Sequence, residues 1–303
     1  MTAADDTIAI RLFVTGASGF LGWRLTRQLE RRFMVTGACR STPVQFAKAD
    51  TVQFDLRNRS SCRDIIRRVS PTHVIHAGAM TLTGECERHP ELAREVNVDG
   101  ARHLLNACEC LPTPPFFLYV STDLVFNGLK GNYSEEDPPD PVMTYGKTKL
   151  AAENLVRHYH GEWAIVRSAL IYGPPGAPHP CFLDWMLEGI RKNEGALFTD
   201  EFRTPVFVDD LCTLLETIWI RRTTGLYHAG GIQRMSRYEF GLLAADVFGL
   251  SDANVRGCQS GCAALSSPRP PDVSLNIAKA RRELGYSPRS CRAGLIAIFR
   301  QCH

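Results

Sequence analysis

Tyr145 and Lys149 stand four residues apart in the stretch Tyr145-Gly146-Lys147-Thr148-Lys149. On a helix, residues at that spacing project from one face, one turn above the other. A free phenol titrates near pH ~10, too high for easy proton exchange at neutrality. An ammonium group one turn away favours the phenolate and draws the pKa towards the working range. Such a pair can exchange a proton with a carbonyl/alcohol couple. A hydroxyl to hold the carbonyl oxygen is on offer upstream, in Ser121-Thr122-Asp123. Tyr and Lys at this spacing also occur on solvated helix faces, so the chemistry requires a cofactor site and a scaffold that bring the segments together.

The cofactor site is expected near the N-terminus. The apolar run Ile8 to Thr15 fits a strand buried on both faces, and it enters Gly16-Ala17-Ser18-Gly19-Phe20-Leu21-Gly22 before a helical pattern over Trp23 to Arg32. Strand, glycine turn and helix form the context of a dinucleotide site: glycines allow close approach, and free N–H groups face the pyrophosphate. Met34 to Cys39 reads as a second strand ending in Arg40-Ser41, where an NAD site usually places an acid. A guanidinium in place of that acid favours a 2′-phosphate, so NADP(H) is favoured and NAD(H) remains possible. Thr51 to Phe54 is a third strand, after which Asp55-Leu56 could meet the adenine edge.

Further along, His73 to Ala77 predicts a fourth strand whose small residues Ala77-Gly78-Ala79, before Met80-Thr81, would let backbone pass close to a flat cofactor. A long helix is expected from about Glu91 to Cys110, with Asn97 able to bind backbone near the site. Phe116 to Val120 is a fifth strand delivering Ser121, Thr122 and Asp123 to its carboxyl end, where open α/β sheets carry ligands. The helix opened by Tyr145 runs through Val156, and Trp163 to Ser168 is a sixth strand. Beyond Gly173 the regular alternation stops. Helices are expected over Phe182 to Lys192, Leu211 to Ile220, Ser236 to Phe248 (Ser236 and Glu239 as a capping box) and Asn276 to Leu284. Asn254 to Pro271 reads as a loop. The fold class is therefore α/β: a doubly wound parallel Rossmann-type sheet with a smaller C-terminal α/β substrate lobe. The expected division gives residues 7–172, with about 204–230 returning, to the cofactor domain, and 173–203 with 231–303 to the lobe.

Composition narrows the function classes. The 303 residues are 44% hydrophobic and 22% charged, an ordinary globular balance. Thirty-five basic against 32 acidic side chains leave a net charge of +3, no electrostatic footprint for nucleic acid. No apolar run approaches the ~20 residues that span a bilayer, and the polar stretch Met1 to Thr7 lacks a signal-peptide core. Eleven cysteines at irregular spacings, with Cys258 and Cys262 the one ligand-like pair, are expected to be reduced thiols of a cytoplasmic protein, with no metal site.

Taken together, the glycine turn, His76-Ala77-Gly78-Ala79, Asn97, Ser121-Thr122-Asp123, Tyr145 to Lys149 and Arg203-Thr204-Pro205-Val206-Phe207-Val208-Asp209-Asp210 resemble an extended short-chain dehydrogenase/reductase over almost the whole chain. Within that class, Ser121 to Gly128, Pro90 to Asn97 and Arg269 to Leu275 followed by Leu284-Gly285 look like the dTDP-4-dehydrorhamnose reductase group. The resemblance implies a homodimer that reduces a keto group of a nucleotide-linked deoxysugar with NAD(P)H. It implies Thr122, Tyr145 and Lys149 as the catalytic set, with Ser121 as the alternative hydroxyl. Cofactor contacts are expected at Gly16, Ser18, Gly19, Phe20, Leu21, Gly22, Arg40, Asp55, Leu56, Ala77, Gly78, Ala79 and Asn97, besides Tyr145 and Lys149. Substrate contacts are expected at Thr81, Ser121, Asp123, Phe182 and Arg203, the last by similarity to an epimerase arginine that pairs with nucleotide phosphate. Leu170 stands where the reductases usually carry an aromatic, and Phe20 in the turn looks more like the epimerase branch. Two other functions share these motifs: a nucleotide-sugar epimerase or dehydratase that recycles its hydride, and a non-catalytic cofactor-binding regulatory subunit.

Overall fold

The structure is a computed structural model that describes residues 10–41, 44–262 and 269–302. The opening residues of the expected first strand (Ile8, Ala9), the polar N-terminus and part of the loop before Pro271 lie outside the described residues, as does the side chain of Cys262.

The first half of the chain alternates strands and helices: β1 (Arg11–Thr15), α1 (Phe20–Leu29), β2 (Met34–Cys39), β3 (Asp50–Gln53), α2 (Arg59–Val69) and β4 (His73–His76). Then come α3 (Thr83–Arg88), α4 (Pro90–Arg94), a π-helical turn over Glu95–Asp99, α5 (Gly100–Glu109), β5 (Phe116–Thr122), α6 (Thr144–Arg157) and β6 (Trp163–Ser168). The second half supplies β7 (Ile171–Tyr172), α7 (Phe182–Lys192), β8 (Leu197–Phe198), β9 (Phe202–Arg203), β10 (Val206–Phe207), α8 (Val208–Ile220) and β11 (Gly225–Ala229). It closes with β12 (Met235–Ser236), α9 (Arg237–Phe248), β13 (Gly257–Cys258), α10 (Ala278–Leu284) and α11 (Cys291–Cys302).

Seven strands form one parallel sheet in the order β11-β6-β5-β4-β1-β2-β3. Side chains alternate between its two faces with period two, and each face has its own core. Leu12 and Val14 of β1, with Phe116, Leu118 and Val120 of β5, pack beneath α1, α8 and α10. Phe13, Phe117 and Tyr119 face the other way, onto α2, α5 and α6. The chain leaves β1 for β2 on one side while β4 pairs with β1 on the other, so the strand order reverses between β1 and β4. Open α/β sheets bind ligands at such a switch point, above the carboxyl ends of the strands. A third core joins Leu183, Met186 and Leu187 of α7, Phe240 and Ala244 of α9, and Leu295 and Ile298 of α11. Ser236 opens α9 with the expected box: its hydroxyl accepts from Glu239 N at 3.1 Å, and Glu239 Oε2 accepts from Ser236 N at 2.7 Å.

One expectation changes. The single helix over Glu91 to Cys110 is broken into α4, the π turn and α5, and α3 forms ahead of it. Ala101, Leu104, Leu105 and Cys108 are buried in the core shared with β1, β4 and β5 of the same chain.

Candidate active site

At the switch point the glycine turn is locked to the end of β4. Gly16 has φ +72°, and a Cβ there would stand 2.8 Å from the Gly78 backbone. A Cβ on Gly22 would come within 2.2 Å of Gly16 O, so α1 can start directly against the turn only with glycine at that position. Gly19 donates to Gly16 O at 2.8 Å, and Ala17 N donates to Ala38 O at 3.0 Å, tying the turn to β2. No side chain caps the N-terminus of α1. This leaves its first N–H groups available to an anion, which is the cradle a dinucleotide pyrophosphate needs. Ser18, Gly19 and Phe20 are half-buried along this edge, and Leu21 is in the core.

A neighbouring network ties the end of β4 to β1. Thr15 Oγ1 accepts from Gly78 N at 3.0 Å and lies 2.7 Å from His76 Nδ1. The hydroxyl thus ties the Gly78 backbone and the His76 ring to the end of β1. Burial, and then the charge of Lys149, push the His76 pKa down to about 3, so the ring is neutral. Asn97, in the π turn, is 1% exposed. Its Oδ1 accepts from Met80 N at 2.8 Å, while Nδ2 donates to Met80 O at 3.1 Å and to Thr148 Oγ1 at 3.0 Å. It thus braces the loop after β4 against α6 and spends its amide on protein atoms. Ala77, Gly78 and Ala79 are half-buried at the cleft, and Thr81 is exposed beyond them.

The catalytic candidates converge from β5 and α6. β5 runs two residues further than expected and carries Ser121 and Thr122 as its last residues, with side chains on opposite faces. Thr122 lies within hydrogen-bonding reach of the Tyr145 phenol. It also donates to Asp123 Oδ1 at 3.1 Å and accepts from Leu124 N at 3.2 Å. Ser121 is turned away: its hydroxyl donates to Glu153 Oε1 at 2.6 Å. Glu153 is fully buried and receives Arg167 Nε at 3.0 Å and Nη2 at 2.8 Å. The alternative assignment of Ser121 to the carbonyl, and its place among the substrate contacts, therefore give way to a structural role.

Lys149 is one turn along α6 from Tyr145, 3% exposed. Its Nζ donates to Val120 O at 2.7 Å and sits 4.1 Å from the centre of the Tyr119 ring. Burial lowers its pKa to about 7, with the Glu153 carboxylate working in the opposite direction. The expected depression of the phenol pKa by this lysine is not what the geometry gives. Burial raises the Tyr145 pKa, Cys86 and Asp123 raise it further, and only the Thr122 hydrogen bond lowers it. A phenol so placed keeps its proton at neutral pH.

Asp123 and Arg203 are both interior. Asp123 is 4% exposed, and burial raises its pKa to about 6 against the opposing charge of Arg203. Arg203 Nε stands 3.9 Å from Asp123 Oδ2, and its Nη1 donates to Phe202 O at 2.7 Å and Pro270 O at 3.2 Å. Arg203, expected to meet a phosphate, instead props the floor of the site. Two further arginines, Arg237 and Arg269, reach the buried Glu201 at 3.0 and 3.6 Å and keep partial exposure. Phe182, half-buried at the start of α7, packs 5.5 Å from Phe240 beneath the Arg237 guanidinium.

At the far end of the cleft Arg40 is exposed, Asp55 is paired with Arg57, and Leu56 packs against Gly100 while its carbonyl lies 3.0 Å from His103 Nδ1. Among the described residues no cluster of His, Cys, Asp or Glu could hold a metal ion, and no helix is long and apolar enough to cross a membrane.

Comparison with known proteins agrees with this cleft. The family model described as the RmlD substrate binding domain matches residues 10–303. The chain belongs to that family. A probable low-salt glycan biosynthesis reductase of Haloferax volcanii is 29% identical over 94% of this chain and 96% of its own. Methionine adenosyltransferase 2 subunit beta of Bos taurus is 26% identical over 92% of this chain and 84% of its own length. The crystal structure of dTDP-4-dehydrorhamnose reductase from Bacillus anthracis in complex with NADP superposes with TM-score 0.83 at 25% identity, covering 97% of this chain and all of that one. The protein is an extended short-chain dehydrogenase/reductase of the dTDP-4-dehydrorhamnose reductase group, an NAD(P)-dependent oxidoreductase with a Rossmann-type α/β fold.

Proposed function

We propose that this enzyme reduces the keto group of a nucleotide-linked deoxysugar, of the dTDP-4-dehydrorhamnose kind, at the expense of NADPH. The observation that carries the reading is the meeting of Thr122 and Tyr145 at the carboxyl end of β5, one helical turn from a buried lysine. The nicotinamide supplies the hydride. Thr122 and Tyr145 hold the ketone oxygen, and the phenol, kept protonated by burial, donates as negative charge develops there. Lys149, with a pKa near neutrality, can then return a proton to the phenol. A phenol that holds its proton suits the reductive direction. Arg237 and Arg269 offer partly exposed guanidinium groups to the nucleotide diphosphate. The homodimer implied by the resemblance is part of the proposal.

Tyr145→Phe tests it. Substrate-dependent NADPH oxidation should fall by ~10²–10⁴ in rate, with cofactor binding retained. Full turnover by a folded Tyr145→Phe enzyme would refute the assignment. An epimerase would show no stoichiometric NADPH consumption. A second reading, a regulatory subunit, is favoured by the similarity to methionine adenosyltransferase 2 subunit beta. Absence of turnover on every dTDP-, UDP- and GDP-keto sugar would replace the first reading by the second.

A further inference from the structure

The Thr122 hydroxyl has one proton and two lone pairs, and several neighbours compete for them. Leu124 N donates to it at 3.2 Å, Asp123 Oδ1 lies 3.1 Å away, and the Tyr145 phenol is within hydrogen-bonding reach. An ionised carboxylate only accepts, so opposite an anionic Asp123 the hydroxyl must be the donor. Its one proton is then committed inside the protein, and none is left for a ketone oxygen. Asp123 is itself placed to carry a proton. It is 4% exposed, and its Oδ2 has no hydrogen-bond partner among the described residues. Arg203 Nε stands 3.9 Å from that oxygen, and the rest of the guanidinium is turned to other partners: Nη1 donates to Phe202 O and Pro270 O, and Nη2 lies 3.7 Å from Glu201 Oε2. The charged and titratable groups acting around Asp123 are Arg203 of β9, Arg237 of α9 and Tyr145 of α6, with Cys86 of α3 acting on the phenol. Burial raises the Asp123 pKa to about 6 against Arg203, the Thr122 hydrogen bond and Arg237, so both protonation states are reached within the working range.

We propose that Asp123 sets the direction of the Thr122 hydroxyl: as a carboxylate it holds the Thr122 proton, and as a carboxylic acid it donates to Thr122 and releases that proton to the ketone oxygen. With Leu124 N and the Asp123 acid filling both lone pairs of Thr122, the phenol loses its acceptor there and turns to the same ketone oxygen. One proton on Asp123 thus frees both donors that hold the carbonyl, and Asp123 keeps that proton through the hydride transfer. Asp123 is a positioning residue, acting on the carbonyl only through Thr122. The inference rests on the reading that Thr122 and Tyr145 hold the ketone, and it adds the group that decides when they can.

The test compares kcat for NADPH oxidation with a dTDP-4-keto sugar, at saturating cofactor, in wild type and Asp123→Asn from pH 5 to pH 8. The asparagine amide donates to Thr122 at every pH, as the acid does. Taking the ratio of variant to wild type cancels the titration of Lys149, which both proteins share. That ratio should be close to one at pH 5 and rise about tenfold by pH 8, the scale of one hydrogen bond to a charged group. In a Thr122→Val background the same ratio should stay flat, because the hydroxyl through which Asp123 acts is gone. NADPH binding checks that each variant is folded. Arg203→Met keeps the test open if Asp123→Asn does not fold: without the opposing cation, kcat should fall at a higher pH than in wild type. A ratio constant within about twofold, a slope that persists without the Thr122 hydroxyl, or an Arg203→Met profile that coincides with wild type overturns the proposal and leaves the Thr122–Tyr145 reading intact. A wild type with no turnover defeats that reading, and the inference with it.

Discussion

Glu153→Gln changes one atom and should be among the most damaging substitutions outside the catalytic set. Glu153 is fully buried in α6 and takes three hydrogen bonds, from Ser121 Oγ at 2.6 Å and from two nitrogens of Arg167 at 3.0 and 2.8 Å. Arg157 adds a longer contact at 3.7 Å from the exposed side. Arg167 is 1% exposed, over the Phe126 ring, and one of its nitrogens already lacks a partner. A neutral amide in place of the carboxylate strands that guanidinium in a low-dielectric interior, and breaking such a pair costs about 3–5 kcal/mol. For a chain of this size each kcal/mol moves Tm by roughly 2 °C, so a fall of roughly 6–10 °C is expected. Ser121→Ala, which removes one hydrogen bond to a charged acceptor, should cost about 1.5–3 kcal/mol. Glu153→Met combined with Arg167→Met removes both charges and should be milder than the single change, because no uncompensated ion remains. Calorimetry at one scan rate compares all four proteins. A Glu153→Gln protein within about 1 kcal/mol of wild type, or a double variant worse than the single, would show that the network is not the buried ion pair described.

Two further outcomes follow from the same site and from its family. Lys149 titrates near 7 in the folded protein against about 10.4 when unfolded, so between those values the unfolded chain binds the extra proton and wild-type stability gains with pH. Lys149→Met should therefore melt higher than wild type at pH 6 by a margin that shrinks towards pH 10, while losing activity; parallel Tm–pH curves for the two proteins would contradict the buried-ammonium account. Self-association should give light-scattering masses of twice the 33.7 kDa chain at micromolar concentration, and a single-chain mass would remove the homodimer.

The order of these elements was written in one dimension. A short apolar run such as Phe116 to Val120, preceded by Pro112-Thr113-Pro114-Pro115, fits a strand covered on both faces, and glycines spaced as Gly16, Gly19 and Gly22 between a strand and a helix fit a phosphate-binding turn. Tyr145 and Lys149 were legible for the same reason, since helical periodicity fixes their relative placement without reference to the rest of the chain. What the sequence could not supply was the direction of each polar side chain once three or more segments met. Ser121 and Thr122 are adjacent hydroxyls, and only the resemblance, not spacing, puts Thr122 ahead of Ser121. Strand alternation sends one to Glu153 and Arg167 and the other to Tyr145, and only the position of α6 over the sheet tells which is which. Arg203 read as a phosphate ligand until β9 was seen to bury it between Asp123 and Glu201. The phenol pKa turned the same way: local spacing pairs it with a cation, but the surrounding protein removes the water that would stabilise its anion. Sequence determined which groups are present and which elements carry them. Burial, and the hydrogen bonds that burial demands, depend on long-range packing, and so the charge state and aim of each group were decided by the tertiary structure alone.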